Sequence, residues 1–361
     1  MNAVTHYVAQ FEIPFVQLLN EQGILTGELP EFASNPAELC CLYQTMVKTR
    51  LFDKKAIALQ RTGKMGTYAP VNGQEAIGTA IGHAMREEDV FIPYYRDYAA
   101  QFQRGVEMSD ILSYWGGDER GSQFQDNAED LPICVPIASQ CLHAAGIGFA
   151  FKHRKQPRVA VVCIGDGGTS EGDFYEAMNV AGVWNLPVVF VVNNNQWAIS
   201  VSIKQQTATQ TIAQKAIAAG FQGIQVDGND IIATRKIIGD AIEKARAGEG
   251  PTLIEALTYR LSDHTTADDA TRYQPEKEVK AASLKEPISR LKHYLEQANL
   301  WNENKEKALV TSCNNAIKDA VEVYLNKPEQ PVSSIFDYHY ATMPDYLTEQ
   351  RATALEEANH D

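Results

Sequence analysis

Two apolar runs in this 361-residue chain end in residues able to hold a hard cation. Residues 159–164 lead into Gly165-Asp166-Gly167-Gly168, and residues 188–192 lead into Asn193-Asn194-Asn195. Both runs are rich in β-branched residues and bounded by turn residues, as buried parallel strands are. Ser170-Glu171-Gly172-Asp173 opens a helical segment that reaches about Trp184, and Pro187 stops it. Together these pieces make one βαβ unit, whose two strands finish on the same side of a sheet in an acid and an amide. Asp166 and Asn195 are therefore expected to converge on one cation, with Gly165, Gly167 and Gly168 letting a phosphate approach the backbone.

The surrounding elements must hold that edge in place. Helical periodicity runs from about Pro36 through Leu39, Leu42, Met46 and Leu51 to Leu59, after an irregular arm over 1–35. Helix-like pieces at 74–86, 97–104, 140–153, 212–218 and 230–247 alternate with strand-like pieces at 90–93, 223–226 and 252–257. Such alternation predicts an α/β fold, a parallel sheet covered by helices on both faces. Beyond about 275 the pattern is helical only, giving a helical C-terminal extension over 276–361 and an α/β domain over 36–275.

Composition excludes several classes. The formal net charge of −14 leaves no basic face for nucleic acid. The six cysteines show no C-x-x-C spacing and read as small buried hydrophobes in a reducing compartment. No segment approaches the ~20 apolar residues of a membrane helix, and the N-terminus lacks signal- or transit-peptide character. A soluble cytoplasmic protein is expected. A nicotinamide-binding G-x-G-x-x-G turn would need a glycine at position 170, where this chain has Ser170.

The run GDGGTSEGDFYEAMN, with its flanking strands and the asparagine at 195, resembles the α subunit of thiamine diphosphate-dependent E1 components of 2-oxo acid dehydrogenase complexes. The resemblance covers about 35–345 and is closest to bacterial pyruvate enzymes, with branched-chain enzymes a near rival. It implies a thiamine diphosphate-binding fold and oxidative decarboxylation, with acyl transfer to the lipoyl group of E2. Asp166, Asn195 and the main-chain carbonyl of Trp197 would hold Mg²⁺ against the diphosphate. In Tyr95-Arg96, the tyrosine would contact the aminopyrimidine and the arginine the diphosphate, where a planar guanidinium fork suits phosphate oxygens. Val135 would offer backbone groups to the pyrimidine, and Ile137 would wedge under the bent cofactor. After the strand 252–257, Arg260 and His264 would belong to the cofactor loop, with Asp268 and Asp269 as its acids. His264, titrating near neutrality, would protonate the acyl acceptor. With little apolar surface, that loop is expected to be mobile without cofactor. Thr265 stands where kinases modify mitochondrial relatives.

One α/β domain supplies half of such a site. The resemblance therefore implies an E1 β subunit in an α₂β₂ heterotetramer and a lipoyl domain of E2 as partners, without nucleic acid or membrane. A subunit keeping the fold but not the chemistry is the alternative of another class, and the intact Asp166, Asn195, Arg96 and His264 argue against it. Some relatives hold potassium near Ser139 and Gln140; Cys134 replaces a serine of that segment. Gln196-Trp197 departs from the usual pair after the asparagine, and the Gly-rich segment 117–121 lacks a histidine found in some pyruvate enzymes. Gly73-Gln74-Glu75-Ala76 matches a family stretch, with Glu75 read as favouring a helix N-terminus. Asp227-Gly228-Asn229-Asp230 reads as a strand end, turn and cap.

Overall fold

The computed structural model describes residues 7–125 and 129–358. In chain order the elements of the sheet region are β1 (Phe15–Val16), α1 (Pro36–Arg61), α2 (Glu75–Ala84), β2 (Val90–Ile92), α3 (Tyr98–Gln103), α4 (Met108–Trp115), α5 (Ser139–His153), β3 (Ala160–Gly165), α6 (Gly172–Val183) and β4 (Val188–Asn194). They continue with β5 (Trp197–Ala198), β6 (Val201–Ser202), α7 (Ile203–Gln206), α8 (Lys215–Ala218), β7 (Gln222–Asp227), α9 (Ile231–Arg246) and β8 (Thr252–Leu257). Helices α10 (Glu276–Ser283), α11 (Pro287–Gln297) and α12 (Glu303–Leu325) follow.

Six strands form one parallel sheet in the order β1-β7-β8-β4-β3-β2. The expected βαβ unit is β3-α6-β4, with Gly165 paired in register to Asn193, so that Asp166 and Asn195 follow at one edge. Side chains alternate across the sheet, as a strand period of two requires. Val161, Cys163, Val189 and Val191 face a core built with α1, α2 and α9. Val162, Ile164, Phe190 and Val192 face a second core under α5 and α6. Each fully buried valine or isoleucine contributes about 1.5–3 kcal/mol, so the two covered faces fix the register that carries the site.

Local signals set the helix ends. Asn35 caps α1 by accepting from Ala37 N, with Pro36 at the first position. Asp230 caps α9 through Ile232 N and Ala233 N, and its other oxygen takes Leu18 N and Leu19 N at 2.6 Å. That second pair ties the N-terminal arm down. The arm is less irregular than its sequence suggests, because Phe15 and Val16 extend the sheet beside Gln225 and Val226.

The chain divides into two compact units, Met1–Val321 and Glu322–Asp361. Residues 276–321 therefore belong to the first unit, where Arg290 on α11 pairs with Asp227 at 2.6 Å. The second unit contains the helices α13 (Ser334–Asp337) and α14 (Asp345–Ala358), linked by an Arg351–Asp337 ion pair at 3.2 Å. No described helix is long and apolar enough to cross a membrane.

Candidate active site

The carboxyl edge of the sheet opens into a cavity of about 590 Å³. Tyr95, Arg96, Val135, Ile137, Gly165, Asp166, Gly167, Gly168, Asn195, Trp197 and His264 all line it. Arg260, the remaining residue singled out above, is fully buried behind His264.

Asp166 is 1% exposed, and its Oδ2 has no hydrogen-bond partner. Burial pushes its carboxyl up to about 6. A buried acceptor of this kind is costly to leave unpaired, and a cation is the ligand that relieves it. The three asparagines diverge. Asn193 donates to Tyr94 OH at 2.7 Å, Asn194 to Glu255 at 2.7 Å, and Asn195 to Gln74 Oε1 at 2.9 Å. That last bond fixes the amide so that Asn195 Oδ1 is its acceptor end, which receives Trp197 N at 3.1 Å. The Trp197 carbonyl accepts from Arg260 Nη1 at 3.4 Å. One carboxylate, one amide oxygen and one carbonyl are hard donors that suit Mg²⁺ once phosphate oxygens complete the shell. Among the described residues no group of three or more His, Cys, Asp or Glu could hold a metal, so a cation here depends on this mixed oxygen set.

Two of the glycines are also required by packing within the chain. A Cβ on Gly167 would come within 2.8 Å of Ala198 Cβ, and one on Gly168 within 2.6 Å of Ile164. They admit the β5–β6 hairpin and the strand end, whereas a Cβ on Gly165 would meet only Tyr94, at 3.7 Å. Ile199, which lines the cavity, has a positive φ of 54°, and so do Ala138 (69°) and Gln196 (74°), each next in sequence to a lining residue. For a β-branched residue such as Ile199 this is strained backbone of the kind that gathers at functional sites.

Two guanidiniums converge on His264. Arg96 Nη2 lies 3.1 Å from its Nδ1 and also donates to its carbonyl, while Arg260 Nη1 lies 3.5 Å from the same Nδ1. Burial, then Arg96 and Arg260, push the imidazole down to about 3. Nδ1 is thus an acceptor, and the proton sits on Nε2. This differs from the expected titration near neutrality, because burial and the two guanidiniums outweigh the opposing Asp268 carboxylate. Arg260 is itself held below its ordinary value by burial and by Arg96. The loop is also better tied than its composition suggests. His264 N donates to Asp268 at 2.8 Å, Tyr273 OH bridges Arg260 and Asp268, and Ala270 N donates to Asp263 at 2.8 Å. Thr265 lines the cavity, and Asp269 caps the following turn through Thr271 N.

The segment where some relatives hold potassium makes bonds of its own. Ser139 Oγ donates to Pro136 O at 2.7 Å and lies 3.1 Å from Cys134 Sγ. Gln140 Nε2 donates to Cys163 O, leaving Oε1 without a partner. His143 is exposed on α5, and Glu75 is buried in an ion pair with Arg50.

Sequence reasoning missed a largely buried strap over 68–74. Gln74 orients Asn195, and Gly73 (φ +92°) crosses so close to the 259–261 segment that a Cβ would lie 2.7 Å from Tyr259 O. Gly73→Ala is expected to destabilise the protein by about 2–4 kcal/mol, combining a forbidden φ with a backbone clash. Denaturant unfolding measures this, and a loss below ~1 kcal/mol would mean that the strap yields.

The sequence matches the family described as Dehydrogenase E1 component over residues 43–333, and the chain belongs to that family. Among its relatives, proteins named "Pyruvate dehydrogenase E1 component subunit alpha" from Staphylococcus epidermidis are 41% identical over 344 residues, covering 94% of this chain and 92% of theirs. One of the same name from Staphylococcus aureus strain N315 is 40% identical over the same shares.

Proposed function

We propose that this chain is the α subunit of an E1 pyruvate dehydrogenase that binds thiamine diphosphate and Mg²⁺ over residues 36–275. The observation that carries the reading is the buried, unpartnered Asp166 carboxylate oxygen in a cavity shared with Asn195, Trp197 and Arg96. Bound there, thiamine diphosphate supplies a nucleophilic carbon and an electron sink for decarboxylating a 2-oxo acid. Asp166, Asn195 Oδ1 and the Trp197 carbonyl would hold the cation. Arg96 and Arg260 would donate to the diphosphate, whose charge relieves their mutual repulsion. The apolar side chains of Val135 and Ile137, 50% and 46% exposed at the cavity, would support the pyrimidine together with Tyr95. His264 would offer its Nε2 proton to the acceptor of the acyl group.

A second polypeptide is part of this reading, an E1 β chain in an α₂β₂ assembly, with a lipoyl domain of E2 as the acyl acceptor. Its support is an exposed apolar patch on α5 and α6: Leu142, Phe149, Tyr175, Val180, Val183 and Trp184. Patches of this kind mark protein interfaces. Substrate preference for pyruvate rests on the names of the relatives, and a cytoplasmic location on composition. The test is turnover with an artificial electron acceptor. The isolated chain is expected to be inactive, and the chain with its partner to favour pyruvate over 3-methyl-2-oxobutanoate by roughly tenfold or more, the scale on which pockets sort apolar substituents. Turnover by the chain alone would overturn the two-chain reading, and a reversed preference the substrate.

A further inference from the structure

The strap over 68–74 is an irregular backbone run through the interior, and each of its carbonyls from Tyr68 to Gly73 accepts a hydrogen bond. Tyr68 O takes Thr266 N at 2.9 Å, Ala69 O takes Tyr98 OH at 2.9 Å, and Pro70 O takes Arg96 Nε at 2.9 Å. Asn72 O takes Leu261 N at 3.2 Å, and Gly73 O takes Thr258 Oγ1 at 2.8 Å. Tyr68 N returns to Thr266 Oγ1 at 3.1 Å, and Gln74 holds Asn195. One segment therefore meets the His264 loop, the guanidinium of the cavity and the amide of the cation site.

Two buried carboxylates hold the strap: Glu75 takes Gly73 N at its C-terminal end at 3.0 Å, and Asp53 holds its middle from behind. Asp53 projects from α1, 1% exposed, among Phe52, Ala56 and other apolar neighbours. Its Oδ1 accepts from Tyr68 OH at 2.6 Å, and its Oδ2 from Val71 N at 2.7 Å. Burying a carboxylate under a helix is costly unless it is bonded, and both of these bonds go to the strap. Removing this one group leaves two buried donors, Tyr68 OH and Val71 N, unpaired.

We infer that Asp53 is a positioning residue: by fixing the strap, it sets Arg96, Asn195 and the His264 loop at the geometry that the cofactor requires. This rests on the cofactor reading above, yet it makes its own claim about how the protein transmits order. A misplacement of about 1 Å away from the chemistry can cost on the order of 10²-fold.

The test uses the full chain in complex with its partner chain. Thiamine diphosphate with Mg²⁺ is titrated calorimetrically into the parent, Asp53→Ala and Asp53→Asn, and amide exchange is followed at Thr266. Asp53→Ala is expected to weaken binding by roughly tenfold or more and to speed exchange at Thr266, which a purely local role on α1 would leave unmoved. Asp53→Asn can accept from Val71 N with its carbonyl and donate to the Tyr68 oxygen with its amide, so it is expected to bind within about threefold of the parent. Parent-like binding or exchange in Asp53→Ala overturns the inference, as does an Asn variant as weak as the Ala one. If Asp53→Ala does not fold, Tyr68→Phe takes its place, since it removes one of the two holds without a large cavity; unchanged exchange at Thr266 then overturns it. A parent complex that binds no thiamine diphosphate sinks the cofactor reading instead, and Thr266 exchange alone then decides the role of Asp53.

Discussion

Asp166→Asn is expected to abolish Mg²⁺-dependent thiamine diphosphate binding while making the cation-free protein more stable. Both effects come from one oxygen. Asp166 supplies the only anionic protein ligand of the proposed shell, and removing a ligand should exceed the 10–100-fold that supporting contacts are worth. Yet without a cation its charge is buried and unpaired at Oδ2. Its pKa is raised in the folded chain from 3.8 to about 6, chiefly by burial. A carboxyl raised on folding adds no penalty below its unfolded value; the penalty grows between about pH 4 and pH 6 and is complete above that. The difference corresponds to about 3 kcal/mol at most, and the neutral amide of the variant escapes it. In chelator-treated protein at pH 8 the variant should therefore melt higher than the parent, with the gap closing near pH 4. Calorimetric titration gives the binding half of the result. Binding within about threefold of the parent, under ~0.7 kcal/mol, would remove Asp166 from the cation site.

The parts of this molecule that can be read from sequence are those whose neighbours are close along the chain or fixed by a period. The valine-rich runs before Gly165 and Asn193 have only one place to go in an α/β protein, and their register carries Asp166 and Asn195 to one edge. His264 follows a strand of the same sheet, so its position at that edge was also readable. What escaped has no local signature. The β5–β6 hairpin is two residues on each strand and turns through Ile199 at positive φ, with Gln196, also at positive φ, just before β5, and no glycine announces it. The strap over 68–74 carries no periodicity because its bonds go to Thr266, Leu261 and Arg96, far away in sequence. Gln74 looked like the residue before a helix, and its contact with Asn195 spans 121 positions. The protonation of His264 was misjudged for the same reason: a histidine's ordinary pKa says nothing of two arginines folded against it.

That protonation state shapes what His264→Ala should do. With Nδ1 facing Arg96 and Arg260, the imidazole is locked in the tautomer that carries its proton on Nε2. A positioned donor of this kind contributes on the order of 10²–10⁴-fold to its step. The proposed step is proton delivery as the acyl group passes to the lipoyl disulfide, which a small artificial electron acceptor bypasses. His264→Ala is therefore expected to slow transfer to lipoyl-E2 by about that factor, while decarboxylation followed with the artificial acceptor falls far less. A pH profile separates the neutral donor from an imidazolium. Since burial and the two arginines hold the ring down to about 3, the cofactor-free protein pays for keeping it neutral only as pH drops below about 6.5, and stability should decline from there toward pH 3. Diphosphate charge beside both guanidiniums would raise that value in the complex, so with cofactor the acid loss of stability should be smaller and end at a higher pH. Equal losses in the two assays would assign His264 to the cofactor or the earlier step, and unchanged transfer would remove it from the chemistry altogether.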